Sequence, residues 1–224
     1  MKGKPTVFVV DDDQTVRGSL QWLLESLKLN VRTYASAREF LSVYDPMWPG
    51  CLILDVRMPD ISGLQLQDIL VQRKVRIPVI LITGHGDISM AVRAMKGGAV
   101  DFIEKPFNDQ VLVERVQQCL AIDSRQRRED VEQMKIIERI ERLTPREAEV
   151  LDGVVSGKHN KVIAAELCIS PKTVEVHRAR IMEKMAVSSV AELTAQLFAG
   201  RRQGKPLYRF RQDPISKSLQ HLYK

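Results

Sequence analysis

The sequence predicts an α/β domain, a doubly wound five-stranded parallel sheet, followed by a small all-α domain of four helices. Two observations carry this reading. Over the first 120 residues, five short β-branched apolar runs alternate with five longer amphipathic segments, the pattern of parallel strands joined by crossover helices. Beyond residue 142 the strand signal is lost and four helical patterns follow, each punctuated by caps and stops. The chain has 224 residues, 44% of them hydrophobic, which fills real cores and excludes disorder, collagen-like repeats and disulfide-stapled miniproteins.

The apolar runs are 6–10, 31–34, 51–54, 79–82 and 101–104, each apolar enough to predict burial on both faces of the sheet. Amphipathic segments near 14–28, 36–43, 63–73, 87–97 and 109–120 supply the helices. In such sheets ligands bind outside the carboxyl ends of the strands, where the strand order reverses. Segment 121–142 has neither Gly nor Pro and interleaves dense charge with Val131, Met134, Ile137, Ile140 and Leu143. It reads as a linker helix with a narrow apolar stripe, either packed on a partner or simply solvated.

Four helices are then predicted over 145–155, 160–167, 171–185 and 189–199. Thr144-Pro145 and Ser170-Pro171 each place an N-cap before a proline at the first helical position, while Gly157 and Gly200 are stops. The short turn Cys168-Ile169-Ser170 between the second and third of these helices predicts a helix-turn-helix. Four segments result: a domain over 1–120, a helical linker over 121–142, the helix-turn-helix domain over 143–200 and a basic tail over 201–224.

The net charge of +6 is informative only once located. Residues 1–120 balance at 14 cations against 14 carboxylates, 121–142 at 6 against 6 and 143–200 at 7 against 7, so the tail, with 7 against 1, holds the whole excess. Cys51, Cys119 and Cys168 are widely separated in apolar surroundings and read as reduced core thiols with no metal or disulfide role. No apolar run approaches the roughly 20 residues that span a bilayer, and residues 1–5 lack the order of a signal peptide, so a cytoplasmic protein without membrane contact is expected.

The strand ends gather chemistry. Strand one ends in Asp11-Asp12-Asp13, strand three in Asp55, strand four in Thr83 and strand five in Lys105-Pro106. Carboxylates brought together raise one another's pKa unless a cation sits among them, and Mg²⁺, which takes few carboxylates and keeps several waters, is the economical choice. A carboxylate beside Mg²⁺, a hydroxyl and an ammonium suits phosphoryl transfer onto that carboxylate. Each residue also has a plainer role: an Asp cluster after a strand can cap the next helix, as Asp13 is expected to do, Asp55 can form a turn, and Phe102 is a core residue. His85, just past Thr83, reads as a loop residue, and 58–63 as a shaped turn.

Four fragments, Val-Asp-Asp-Asp at 10–13, Leu-Asp-Val-Arg-Met-Pro-Asp at 54–60, Thr-Gly-His-Gly at 83–86 and Glu-Lys-Pro-Phe at 104–107, occur in order on successive strands. On these residues 1–120 resemble a response-regulator receiver domain with a flavodoxin-like fold, and the FixJ group in particular. The resemblance implies Asp55 as phosphoacceptor and Mg²⁺ bound by Asp12, Asp55 and the backbone carbonyl of Arg57, with Asp11 acting through a water. It further implies Thr83 and Lys105 on the phosphoryl oxygens, Phe102 as an aromatic switch and a cis bond before Pro106. Haloacid-dehalogenase-type phosphatases share the Asp nucleophile but carry an acidic residue two positions later, where this chain has Arg57, which cannot deliver a proton near neutral pH.

Residues 143–200 resemble the LuxR-type DNA-binding domain through Leu-Thr-Pro-Arg-Glu at 143–147, Asn160-Lys161 with Ile163-Ala164, and Ser-Pro-Lys-Thr-Val-Glu-Val-His-Arg at 170–178. On the wheel of 171–185, Val174, Ile181 and Met185 face inward, leaving Lys172, Glu175, Val176, Ala179 and Arg180 outward. Lys172, Thr173, His177 and Arg178 are candidate backbone contacts; Glu175, Val176 and Ala179 point at base edges; Asn160 and Lys161 add phosphate contacts. Glu175 either accepts from a cytosine amino group or orients a neighbouring cation. In the last helix Val190, Leu193 and Leu197 form a stripe that is either core or dimer face.

The expectation is a two-component transcription factor. A sensor histidine kinase phosphorylates Asp55, the receiver dimerises, as the resemblance to the FixJ group implies, through the helix near 89–97 and strand five, and the paired output domains bind promoter DNA to regulate, and by expectation activate, transcription with RNA polymerase. The receiver then catalyses only its own phosphorylation and dephosphorylation. Two other readings stand beside it: DNA binding restrained by the receiver without phosphate, and a phosphate sink or phosphatase whose second half binds protein. The tail, with Arg201, Arg202, Lys205, Arg209 and Arg211 near Tyr208 and Phe210, either tracks phosphates or is a solubilising extension.

Overall fold

The computed structural model describes residues 3–84, 88–199, 201–202 and 205–206. The chain forms two compact units that divide between Arg128 and Glu129. In the first, β1 (Thr6–Val10), β2 (Asn30–Tyr34), β3 (Gly50–Asp55), β4 (Val79–Thr83) and β5 (Asp101–Glu104) form one sheet in the order β2-β1-β3-β4-β5. All four pairings are parallel. Crossovers run through α1 (Gln14–Ser26), α2 (Ala37–Val43), α3 (Gly63–Gln72) and α4 (Ile88–Lys96), and α5 (Asp109–Glu141) follows β5.

Strand periodicity divides the core in two. Phe8, Val10, Leu52, Leu54, Val79 and Leu81 point to one face, beneath Phe40 of α2, Leu66 and Leu70 of α3 and Ala94 of α4. Val7, Val9, Cys51, Ile53, Ile80 and Ile82 point to the other, beneath Leu20 and Leu24 of α1 and Leu112, Val116 and Cys119 of α5. Continuous apolar runs are needed only where both faces are covered along the whole strand, and β1, β3 and β4 meet that condition. The expectation of two-faced burial fails for β2 and β5. Both are edge strands, alternately exposed in β2 and with only Ile103 buried in β5.

Helices α1, α2 and α3 start where a short polar side chain satisfies open backbone donors. Asp13 accepts from Thr15 N (2.7 Å) and caps α1, Ser36 caps α2, and Ser62 with Gln65 forms a capping box on α3. The helix over 109–120 and the segment marked as linker are continuous in α5. Within that segment Asp123 and Arg127 join the first unit. Asp123 Oδ2 accepts from Gly50 N (3.0 Å), and Arg127 donates to Asp123 and to the carbonyls of Pro46, Met47 and Trp48.

The second unit is built from α6 (Pro145–Val155), α7 (Asn160–Glu166), α8 (Pro171–Met185) and α9 (Val190–Ala199). They enclose Val150, Leu151, Ile163, Val174, Ile181, Met185, Leu193 and Leu197, with Ile136 and Ile140 of α5 packed alongside. Leu193 and Leu197 are therefore core, whereas Val131 and Met134 of the linker stripe are exposed. The α7–α8 turn is held by Cys168, which has φ 54° and is exposed, unlike the buried Cys51 and Cys119. At this turn Ile169 packs against the core while the Cys168 side chain is left exposed, so the assignment of Cys168 to the core is corrected. Ala186, at φ 52°, ends α8. Two backbone segments of the expected tail, β6 (Arg201–Arg202) and β7 (Lys205–Pro206), pair antiparallel.

Candidate functional site

The register delivers the acidic strand ends to one edge. Val10 lies beside Leu54, so Asp11 and Asp55 leave neighbouring strands together, and Asp55 lies beside Ile82, one residue before Thr83. Thr83 pairs with Glu104, which places Lys105 next along the same edge, with Lys105 N donating to Thr83 O (2.7 Å). The Lys105-Pro106 bond is cis. Lys105 Nζ lies 2.8 Å from Asp11 Oδ2 and 2.7 Å from Asp55 Oδ1.

The two carboxylates are buried, at 1% exposure for Asp11 and 5% for Asp55, as is the Thr83 side chain, while Lys105 remains partly open to solvent. Burial pushes Asp55 above the ordinary carboxylate range; the Lys105 ammonium and the Arg57 N–H pull it back, and Asp11 adds to the rise. Burial alone would lower Lys105, yet its hydrogen bonds to Asp11 and Asp55 outweigh that and raise its pKa. One ammonium serving two carboxylates leaves an excess of negative charge, suited to a further cation.

The donor set is oxygen only. Asp12 stands exposed directly after Asp11, Asp11 Oδ1 accepts from Asp13 N (2.8 Å), and Asp55 Oδ2 accepts from Arg57 N (2.7 Å). Among the described residues no group of three or more His, Cys, Asp or Glu side chains is arranged for a metal. The arrangement fits a hard cation held by one or two carboxylates and a carbonyl with retained waters, and not a metal requiring three or more side-chain ligands.

Three residues outside the motif fragments shape this edge. Arg17 Nη1 donates to the Asp11 carbonyl (2.7 Å) from the first turns of α1. Gly63 N donates to Val56 O (3.0 Å), and a Cβ on Gly63 would stand 2.2 Å from the Asp55 carbonyl oxygen, so only glycine fits. Buried Gln67 donates to Ala94 O (2.9 Å), tying α3 to α4. A Gly after a Ser N-cap is the only one of these signals that a sequence offers. Phe102 is half-buried against the α2–α4 face of the core. His85 lies outside the described residues.

In the second unit α8 presents the expected faces. Val174, Ile181 and Met185 are buried; Lys172, Glu175, Val176, Ala179 and Arg180 are exposed, with Thr173, His177 and Arg178 between. Lys172 Nζ lies 3.1 Å from Glu175 Oε2, so in this state Glu175 is engaged by a cation on its own helix. Ser170 accepts from Thr173 N (3.0 Å), fixing where α8 begins. His177 Nδ1 is buried without a hydrogen-bond partner among the described residues. Lys161 is exposed and Asn160 half-exposed at the start of α7. Sequence reasoning passed over the pair of buried Glu147 and Lys184 (2.6 Å), which ties α6 to α8. Arg209, Arg211, Tyr208 and Phe210 lie outside the described residues.

Comparison with known proteins gives two family matches: "Response regulator receiver domain" over residues 7–117, and "Bacterial regulatory proteins, luxR family" over residues 141–197. The transcriptional regulatory protein FixJ of Azorhizobium caulinodans is 47% identical over 195 residues, covering 87% of this chain and 92% of that protein. The transcriptional regulatory protein TdiR of Thauera aromatica is 45% identical over 188 residues, covering 84% of this chain and 83% of that one. Among solved structures the response regulator StyR superposes with a TM-score of 0.79 at 45% identity, over 87% of this chain and 98% of that one.

Proposed function

Because the chain belongs to the response regulators that join a receiver domain to a LuxR-type DNA-binding domain, and is thus a transcriptional regulator, we propose that it is switched by phosphorylation of Asp55. The observation that carries the proposal is the Lys105 ammonium between Asp11 and Asp55 at the end of the sheet. A sensor histidine kinase supplies the phosphoryl group: the P–N bond of its phosphohistidine breaks as an O–P bond forms on the Asp55 carboxylate. Thr83 and Lys105 hold the phosphoryl oxygens. Asp12, Asp55 and the Arg57 carbonyl would hold Mg²⁺, with Asp11 acting through a water. The ion, when bound, neutralises charge on the transferring group.

The new phosphate places negative charge beside Thr83 and Phe102 and biases the face formed by α4 and β5 toward pairing with a second copy. Ile88, Val92 and Met95 leave apolar surface exposed on α4. Two output domains on adjacent half-sites bind promoter DNA far better than one, which turns dimerisation into the control of transcription through RNA polymerase. The contacts to DNA are Lys172, Thr173, His177, Arg178, Arg180, Asn160 and Lys161 on the backbone, with Glu175, Val176 and Ala179 at base edges. Opening of the Lys172 to Glu175 pair frees Glu175 for a cytosine amino group. No helix of the described residues is long and apolar enough to cross a membrane.

A labelled small phosphodonor with Mg²⁺ should mark the wild-type chain and not Asp55→Ala. Light scattering should show beryllofluoride and Mg²⁺ doubling the mass of the wild type alone. Unchanged mass and DNA affinity in both proteins would overturn phosphate control.

A further inference from the structure

Helix α8 carries most of the candidate DNA contacts, and its two ends are held by different partners. At the start, Ser170 accepts from Thr173 N (3.0 Å), and Arg146 of α6 donates through Nη2 to the carbonyl of Leu167, just before the turn that leads into α8. At the far end Ala186, with φ 52°, stops the helix; its amide returns to Glu183 O (3.0 Å) and that of Val187 to Met182 O (3.0 Å). The Met185 carbonyl is answered from another element. Arg139 Nη1 of α5 donates to it at 3.1 Å.

The exchange is mutual. Helix α5 ends in a tightened turn, with Arg142 N on Arg139 O (3.2 Å) and Leu143 N on Ile140 O (3.1 Å), and the Arg142 carbonyl accepts from Lys184 Nζ of α8 at 3.1 Å. Each helix thus brings a cation to the carbonyl end of the other, where the partial negative charge of a helix terminus favours it. Lys184 Nζ is itself held by the buried Glu147 (2.6 Å). Ile136, Arg139, Ile140 and Leu143 fall at the i, i+3, i+4 and i+7 positions of one helical face, and the three apolar ones join the core that contains Ile181 and Met185. Ile136, Arg139 and Ile140 lie in the segment that reads from sequence as a linker.

We propose that the end of α5, from Ile136 onward, is part of the DNA-reading unit, with Arg139 and Lys184 as positioning residues that set the angle of α8. The inference rests on the DNA-binding reading above and extends it to residues outside the contact set. A helix of 15 residues is a rod of roughly 22 Å. Fixed only at its start it can pivot; held at both ends it cannot. Base-edge contacts need that angle, because paired donors and acceptors in the major groove tolerate little displacement, whereas phosphate contacts from long flexible cations tolerate more. Loss of the far anchor therefore lowers discrimination between sequences more than affinity for DNA in general.

The full chain, loaded with beryllofluoride and Mg²⁺, should be used to select a preferred duplex from a random 30-bp pool, and affinities measured for that duplex and a scrambled one. Arg139→Met keeps the side-chain stem and removes the donor; it should lower the ratio of the two affinities several-fold, with a thermal midpoint close to that of wild type. Arg139→Lys, which restores a cation able to reach the carbonyl, should recover most of the ratio. Lys184→Met with Glu147→Gln, which leaves no unpaired buried charge, should lower the ratio likewise. Lys135→Ala, in a pair with Glu132 on the same helix, is the control and should leave it unchanged. A smaller folded fraction scales both affinities alike and cannot move the ratio, so a wild-type ratio in Arg139→Met overturns the positioning role while leaving the DNA reading intact. An equal fall for both duplexes would show a direct phosphate contact by Arg139 and overturn it too. Failure of the wild type to enrich any duplex would overturn the DNA reading together with the inference.

Discussion

The Gly50 amide donates to a carboxylate oxygen of Asp123, 73 residues along the chain, in a buried bond of 3.0 Å. Gly50 can fill that place because its φ is 151° and a Cβ there would lie 1.8 Å from the Thr6 carbonyl oxygen. Arg127 completes the lock by gathering Asp123 and three successive carbonyls of the loop before β3.

Asp123→Ala should therefore destabilise the receiver by about 1–3 kcal/mol, the cost of leaving a buried donor and a guanidinium without their acceptor. Asp123→Asn, which keeps an acceptor for Gly50, should lose less. Urea unfolding followed by circular dichroism gives both values. A receiver ended at residue 120 should show the same deficit as Asp123→Ala or a larger one.

Lys105→Met should slow phosphorylation by a small-molecule donor by about 100-fold, the usual loss on removing one pre-placed charge from a phosphoryl or oxyanion site. Phosphate-affinity gel electrophoresis resolves the two forms. The same substitution leaves Asp11 and Asp55 side by side without their ammonium, so Asp55 should be driven still further above the ordinary carboxylate range.

Glu147 gives the output domain an acid-sensitive stability. Burial pushes its carboxyl up, but Lys184 and the Thr144 backbone N–H outweigh this and hold it below its ordinary value of 4.5. A group whose pKa is lower folded than unfolded stabilises the protein above its unfolded value and stops doing so as pH falls through its folded one. Wild type should exceed Glu147→Gln by about 1–3 kcal/mol at pH 7, and the gap should close below about pH 4.5. Paired thermal melts across pH 3 to 7 measure it.

Gly63→Ala should damage the sheet edge that carries Asp55. The added Cβ would meet the Asp55 carbonyl oxygen at 2.2 Å and its carbon at 3.0 Å, both backbone atoms that cannot step aside alone. A loss of about 1–3 kcal/mol is expected, with reduced labelling of Asp55 even in the folded fraction. Gly18→Ala, where nothing lies within 4 Å, is the control and should cost nothing.

Much of this molecule was legible because its signals are local. Strand β1 and helices α6 and α8 begin and end where apolar period, Ser or Thr caps and proline place them. The gathering of Asp11, Asp55 and Lys105 followed from parallel topology, which sends all strand ends to one edge. Edge position was not legible: residues 31–34 read as apolar as central strands, and only pairing order shows that β2 has one neighbour. Long-range polar contacts such as Asp123 with Gly50 and Glu147 with Lys184 leave no periodic trace, since each needs two residues far apart in sequence. Cys168 misled because its apolar neighbours Leu167 and Ile169 pack against the core of the second unit, while its own side chain is exposed.

Cys168 and Ala186 stand at the two corners of α8, and both hold a left-handed backbone without being glycine. Such corners are disfavoured for side-chain-bearing residues and persist only where surrounding packing imposes them. The entropy of shaping these bends is thus spent when the chain folds, not when it meets its target. If α8 meets DNA as proposed, the bends at Cys168 and Ala186 are already set by the fold, so binding would not have to supply the cost of shaping them.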